Sequence, residues 1–429
     1  MNNTSFTLSN ARRINWQVVL PWVVFFTGML YYCFAYLLRV YPSVMEDQLL
    51  ARFNVSVRAF GFLTGFYYFA YAPMQLIVGM TVDYIGARRS LLLGCLIAIF
   101  GVSIFAQTTV FDIALAGRFF IGLGAAFGYV TALKIATQWL PRRYFATAAG
   151  MVTGGGMIAA GLTDKYLTYL IHTKDFYSAL HFPLYVGVFL FLYIFLTVRS
   201  KPPVSENISH HHVTYPQLLS QLWGIMKRRQ MWLIGVIGAL LYLPASVFVD
   251  AWGIPFLTTA RHFTPEQAAQ GMFVVLIGWV LSSFISGMLS DRFHTRKIPL
   301  VISAIGATII AFAIIFLSIS SVWILYTLLF LLGVFCGPHP LCFALSKENC
   351  SMEIAGTAVS FANFLIMSGG MLMQPLVGIF LSLLKHGEKL PPSAYSSFDF
   401  SVALSIIPIG LLIALCSIAY LKETFGRHN

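Results

Sequence analysis

A charge inside a long apolar run is costly unless it faces polar company, so such charges are the first candidates for chemistry. Tyr32, Tyr36, Arg39, Ser43 and Glu46 recur at steps of three and four, which places them on one helical face. A polar stripe of this kind suits a cavity better than lipid. Arg39 within it can hold a carboxylate or phosphate through a two-pronged hydrogen bond; its alternative is a snorkelling position at the interface. Arg118 shares a face with Gly122, Ala125 and Tyr129 and can either bind substrate or hold helices together. Lys134 falls on the opposite face, near the end of its run, as a snorkelling lysine would.

Asp250 is the carboxylate well inside its run, just before Trp252-Gly-Ile-Pro255, which makes it a candidate proton carrier; it could equally pair with a basic residue across the cavity. His339, between Pro338 and Pro340, is a second titratable candidate for coupling; it can equally bond carbonyls that the prolines free. Thr64, Tyr68, Tyr71 and Gln75 form one neutral polar stripe, and Asn363, Gly370 and Gln374 another. Tyr36, Tyr71, Gln75, Asn363 and Gln374 offer directional hydrogen bonds without fixed charge, for a polar solute or between helices. Asp164 and Lys165 read as an interfacial pair.

The elements that carry these residues follow from composition. The chain is 58% hydrophobic and 10% charged, with a mean hydropathy of +0.80. A soluble protein of 429 residues lacks the interior to hide that much apolar side chain. Twelve segments are long enough to cross a bilayer: 18–43, 57–82, 89–108, 112–139, 143–167, 181–199, 230–257, 270–291, 297–318, 321–345, 354–383 and 399–421. The net charge of +12 is then topology rather than a nucleic-acid footprint. With the loop around Arg88 in the cytoplasm, 17 of the 27 Lys and Arg fall inside, 7 outside and 3 within spans. That excess puts both termini in the cytoplasm, and the short loops favour a bacterial inner membrane. The first span follows Arg12 and Arg13 without a small-residue cleavage site and reads as uncleaved.

The polar stretch 199–229 contains His210-His211-His212. No Cys or acidic cluster accompanies these histidines, so they read as a solvated linker and not as a metal site. The six cysteines, without a CxxC pair, read as buried free thiols. No phosphate-cradling loop, HExxH helix or nucleophile elbow is present, so neither enzyme chemistry nor a cofactor is expected.

Gly79-Met-Thr-Val-Asp83-Tyr-Ile-Gly86-Ala-Arg88-Arg89 returns 208 residues later as Gly287-Met-Leu-Ser-Asp291, followed by Arg296-Lys297. A short basic loop repeated in each half of an apolar chain points to a duplicated transporter. The expected architecture is all-α, with twelve transmembrane helices in two pseudo-symmetric six-helix bundles. The expected units are an N-terminal bundle over 1–200, a linker over 201–229 and a C-terminal bundle over 230–429.

On these loops, and on Arg118-x3-Gly122-x-Gly124, the chain resembles the major facilitator superfamily. The resemblance implies alternating access between two bundles. It implies gating by Asp83, Gly86, Arg88, Arg89, Asp291 and Lys297, with Asp83 pairing to Arg89 and lying near the start of the eleventh span. Tyr36-Leu-Leu-Arg39-Val-Tyr-Pro-Ser43, Phe66 to Gln75, and Lys134, Trp139 and Pro141 look like the organic-anion (anion:cation symporter) branch. The chain departs from that branch at Leu38 and Ala125, where acids usually stand. Nutrient carriers of intracellular bacteria are a weaker likeness.

The function expected is proton-coupled uptake of a small anionic or zwitterionic metabolite by a monomer in the bilayer. Candidate cargoes are an organic acid, an amino acid or a carboxylate-rich siderophore. Arg39 and Arg118 would neutralise the cargo. The glycine-rich fifth span (Gly150, Gly154, Gly155, Gly156, Gly161) raises a rival, proton-antiport efflux of apolar or cationic compounds, but lacks the proline usual there. A transport-silent receptor would need an added soluble domain or tail, and eight residues follow Leu421.

Overall fold

The structure is a computed structural model that describes residues 16–141, 144–198, 215–351, 354–385 and 394–424. His210 to His212 and the basic residues at 12, 13, 142 and 143 lie outside the described residues.

Every apolar segment becomes helical, because in lipid a backbone must satisfy its own polar groups. The first part of the chain forms α1 (Trp16–Val40), a 3-10 turn (Tyr41–Met45), α2 (Glu46–Phe53), α3 (Val57–Met74), α4 (Val78–Ile85), α5 (Ala87–Gln107), α6 (Phe111–Ala125), α7 (Phe127–Trp139), α8 (Phe145–Thr173) and α9 (Phe176–Thr197). α10 (Tyr215–Met226) lies within the expected linker. The rest forms α11 (Arg229–Leu241), α12 (Gly253–Pro255), α13 (Pro265–Arg292), α14 (Lys297–Phe316), α15 (Val322–Cys336), α16 (Leu341–Glu348), α17 (Ala355–Leu384), α18 (Ser397–Leu404) and α19 (Ile406–Ala419).

Ten helical stretches among the described residues are long and apolar enough to cross a membrane. The expected segments 57–82 and 143–167 are helical but are not among the ten. Segment 57–82 breaks at Gln75 to Ile77, just past Pro73, whose missing N–H and bulky ring disrupt a helix. Pro338 and Pro340 likewise divide the segment 321–345 into α15 and α16. Pro244 and Pro255 do not break their span; the residues around them, Pro244–Trp252 and Phe256–Ala260, wind as wider π-helix.

Among the described residues, three helix starts carry side-chain caps, those of α9, α13 and α18. Thr264 and Gln267 form a reciprocal capping box on α13, with Pro265 in the first turn. Asp175 caps α9 by accepting from the Ser178 N–H at 2.6 Å, and bonding from Ser178 holds its carboxyl below the usual carboxylate range. Outward faces stay apolar: Phe100, Leu196, Phe189, Ile309 and Phe312 are all exposed, as lipid-facing side chains should be.

The repeat is visible in the packing. Arg52 donates to the Ala106 carbonyl at 2.8 Å, and Arg261 donates to the Ile315 carbonyl at 2.5 Å. Donor and acceptor are each displaced by 209 residues, so the same arginine-to-carbonyl clamp recurs in both parts of the chain. Across the two parts, α3 packs along α17 and α8 along α13. The α3–α17 contact is close because a Cβ at Gly61 would stand 2.6 Å from the Gln374 carbonyl oxygen. Gly86, between α4 and α5, has φ +83°, a conformation that favours glycine.

Candidate functional site

The site grows from the last two turns of α1. Arg39 is 3% exposed, and its guanidinium carbon lies 4.5 Å from the Tyr36 ring centre, 5.1 Å from Tyr71 and 5.6 Å from both Tyr67 and Tyr68. Four aromatic faces therefore surround one cation, a favourable and largely water-free setting. Nη1 donates to the Tyr242 hydroxyl at 3.1 Å, which ties α1 to the end of α11. Nε is buried without a hydrogen-bond partner. Among the described residues no carboxylate lies within ion-pair distance of Arg39.

Asp250 enters from the π-helical segment and accepts a hydrogen bond from the Tyr68 hydroxyl. It is 4% exposed. Tyr68 thus touches both charges, its face to Arg39 and its hydroxyl to Asp250. The His339 ring lies 4.9 Å from Tyr242, 5.9 Å from Trp279 and 5.7 Å from Phe343. Its Nε2 is buried and unbonded, so that nitrogen satisfies none of the carbonyls the prolines free.

Gln75 and Asn363 meet across the α3–α17 contact: Asn363 Nδ2 donates to Gln75 Oε1 at 3.0 Å. Gln374 Nε2 donates to the Ser246 carbonyl, one of those in the π-helical turn, and the Gln374 carbonyl accepts from Trp252 Nε1 at 3.1 Å. Phe60 and Trp252 meet edge-on at 5.3 Å beside it.

Arg118 is fully buried and points elsewhere. It donates to the carbonyls of Leu38 at 2.7 Å, Leu63 at 3.2 Å and Arg39 at 3.5 Å. Leu38 and Arg39 sit in the last turn of α1, whose carbonyls lack helical partners. Arg118 is therefore a C-terminal cap supplied by another helix, with its charge on the negative end of the α1 dipole. Of the two roles open to it, these bonds are the helix-holding kind.

The loop residues resolve into two networks. Asp83 pairs with Lys134 at 2.5 Å, linking α4 to α7, rather than with Arg89, which is exposed on α5. Lys134 is the nearer cation because α4 packs on α7. Arg88 donates to the Phe195 carbonyl at 2.9 Å. Asp291 accepts from Arg296 at 2.6 Å, and Arg296 also reaches Glu348 at 2.9 Å. Lys297 Nζ caps the end of α19 through the Ala419 and Leu421 carbonyls. Glu423 accepts from the Arg296 and Lys297 backbone N–H groups at the start of α14. Asp164 and Lys165 do not pair: Asp164 is buried and accepts from Ser43, while Lys165 Nζ lies over the Phe273 ring.

Sequence reasoning missed Tyr67 and Tyr242. Tyr67 lies off the Thr64 to Gln75 stripe, and Tyr242 stands alone in an apolar run; the Pro244 two residues on is the signal that marks its turn.

Apolar spans, paired basic loops and a buried cation among hydroxyls are features of a membrane transporter. Residues 23–375 match the Major Facilitator Superfamily, and the chain belongs to that family. That membership supports a multi-pass membrane transporter and not an enzyme. The chain is 25% identical over 283 residues to a probable sulfoacetate transporter, SauU, of Cupriavidus necator, covering 62% of this chain and 64% of that protein. It is 22% identical over 256 residues to the glycerol-3-phosphate transporter of Bacillus subtilis, covering 54% and 56%. Each match thus spans less than two thirds of the relative's length. The fold is similar to that of a bacterial homolog of the human lysosomal transporter Spinster, inward-facing and unoccupied (TM-score 0.72, 14% identity, 95% and 96% of the chains). It is also similar to that of a single-residue mutant of the nucleoside transporter NupG (TM-score 0.73, 14% identity, 94% and 99%).

Proposed function

We propose that the protein imports a small anionic or zwitterionic metabolite, with the Arg39 guanidinium holding its anionic group. The observation that carries this is a buried arginine, ringed by four tyrosines, with an unbonded Nε and no carboxylate in ion-pair reach among the described residues. A guanidinium kept among aromatic faces is poised to form a bidentate bond with a carboxylate, sulfonate or phosphate. That two relatives are described as carriers of a sulfonated acid and a phosphate ester supports the anion class.

The remaining assignments belong to the same reading. Twelve spans form two six-helix bundles, over 1–200 and 230–429, joined by 201–229, with both termini cytoplasmic in a bacterial inner membrane. The Asp83 and Asp291 networks hold the cytoplasmic side. Tyr36, Tyr71, Gln75 and Asn363 orient the cargo, Arg118 and Gln374 position the helices, and His339 supports Tyr242. Asp250 carries the driving proton: protonated, it leaves Arg39 free to take the anion, and after release it re-forms the Tyr68-bridged arrangement.

The test is a thermal-shift screen of the purified protein against sulfoacetate, glycerol-3-phosphate, dicarboxylates and amino acids, repeated with Arg39→Lys. A bound anion at a hundredfold excess over its Kd should stabilise wild type by about 2.7 kcal/mol, and the shift should vanish in Arg39→Lys. Stabilisation by apolar or cationic compounds alone, equal in both proteins, would refute the anion reading and favour efflux.

A further inference from the structure

At the end of the molecule opposite Gly86 lies a cavity of about 140 Å³ that the anion site does not use. The end is fixed by α5, whose start is the Gly86 turn and whose finish is clamped by Arg52 from the α2 side. Ser43, Glu46, Asp47, Thr168, His172 and Thr258 are among the residues lining the cavity. Glu46 is 6% exposed and Thr168 3%, and each presents a buried side-chain oxygen, Oε1 and Oγ1, that bonds to nothing. Asp164, wholly buried just behind the wall, accepts from Ser43 Oγ at 3.4 Å, and its Oδ2 is also unbonded. Among the described residues neither Glu46 nor Asp164 has an ion-pair partner.

A carboxylate out of water without a counter-charge is costly, and a bound proton is the smallest species that removes the cost. Among the described residues no fixed cation is in ion-pair reach of these two groups, and Lys165, next to Asp164, lies over the Phe273 ring instead. Asp47 is the charged neighbour of Glu46 on its own element, and Tyr395 faces it from the approach to α18. His172 on α8 is engaged with Glu266 at 3.2 Å. Asp250, from the π-helical segment, is within electrostatic reach of Asp164. Ser43 therefore lines the cavity together with Glu46 and bonds to Asp164, which Asp250 reaches through space.

We propose that Glu46 and Asp164 form a protonatable gateway that passes protons from the distal cavity, through the Ser43 hydroxyl, to Asp250. In the relay step, Ser43 gives its hydroxyl proton to ionised Asp164 and takes one from protonated Glu46, and Asp164 then releases its proton to ionised Asp250, so one proton moves from Glu46 to Asp250 and Ser43 is restored. The proposal deepens the coupling reading above and rests on it for the direction of flow.

The test is infrared spectroscopy of the full chain in lipid, titrated between mildly acidic and mildly alkaline pH, which needs no substrate. Wild type should show protonated-carboxyl absorption that declines as pH rises, with separate parts lost in Glu46→Gln and Asp164→Asn. Ser43→Ala, which keeps both acids, should retain the absorption and slow its exchange with deuterium several-fold. Absorption unchanged by both acid substitutions, or deuterium exchange unaffected by Ser43→Ala, would overturn the relay. Sodium ions removing the absorption at fixed pH would also overturn it, in favour of a metal-cation site. Failure of the anion reading appears in the thermal-shift screen instead and leaves these signals in place.

Discussion

At the scale of single residues, two buried arginines on neighbouring helices have different duties because their donors have different neighbours. Arg118 spends its N–H groups on backbone carbonyls, two of them in the last turn of α1. Arg118→Ala should therefore lower stability by about 1–3 kcal/mol, the cost of orphaning buried acceptors. A denaturation series in detergent reads the loss; unchanged stability would deny the cap. Arg39 keeps donors in reserve, so Arg39→Lys should keep the melting temperature within a few degrees while losing anion binding. The stripe from Tyr32 to Glu46 was legible in the sequence because helical phase alone puts those residues on one face. Asp250 was legible as a lone carboxylate in an apolar run. The roles of Arg118 and Lys134 were not, since each depends on which helix end or carboxylate lies across a tertiary contact. Glu46 and Asp164 appeared in the sequence as a stripe member and an interfacial acid. The cavity that Glu46 lines, with Asp164 behind its wall, exists only once α8 packs beside the turn at Ser43.

At the scale of elements, helix breaks decide where polar groups are delivered. Ten of the segments that hydropathy picked out correspond to membrane-length helices among the described residues, but hydropathy did not show the interruptions at Gln75 to Ile77 and at Gly337 to Pro340, although Pro73, Pro338 and Pro340 mark them. The wider winding from Pro244 to Trp252 places Asp250 against Tyr68 and leaves the Ser246 carbonyl to Gln374. The Lys134–Asp83 pair joins α4 to α7 at the surface, with Asp83 half exposed, so its stability contribution is about 0–1 kcal/mol. Lys134→Ala should accordingly shift the unfolding midpoint little while changing transport rate, as a gate contact would. A loss of several degrees with unchanged rate would make the pair a structural brace. At Gly61, an added methyl group would meet the Gln374 carbonyl. In a background without the native six cysteines, Gly61→Ala should make a cysteine at position 64 react faster with a water-soluble maleimide. An unchanged labelling rate would show that the α3–α17 contact tolerates the intrusion.

At the scale of the whole molecule, the repeat is a physical one. The clamps made by Arg52 and Arg261 recur at one spacing, and the paired basic loops recur at nearly the same one. Arg52→Ala and Arg261→Ala should each destabilise the protein, with losses that add to within about 0.5 kcal/mol, as expected of separated sites. Strong non-additivity in the double variant would mean the two clamps report on one shared rearrangement. The recurrence of the basic loops was readable in the sequence, whereas the lock between α3 and α17 was not, because contacts in lipid come from fit between small residues rather than from pattern.

Anion uptake through Arg39 is best measured with labelled sulfoacetate and glycerol-3-phosphate in proteoliposomes under an inward proton gradient, comparing wild type, Arg39→Ala and Asp250→Asn. Wild type should accumulate at least one anion, Arg39→Ala none at equal folded protein, and Asp250→Asn should lose its dependence on the gradient. Full uptake by Arg39→Ala would contradict an anion site at this arginine.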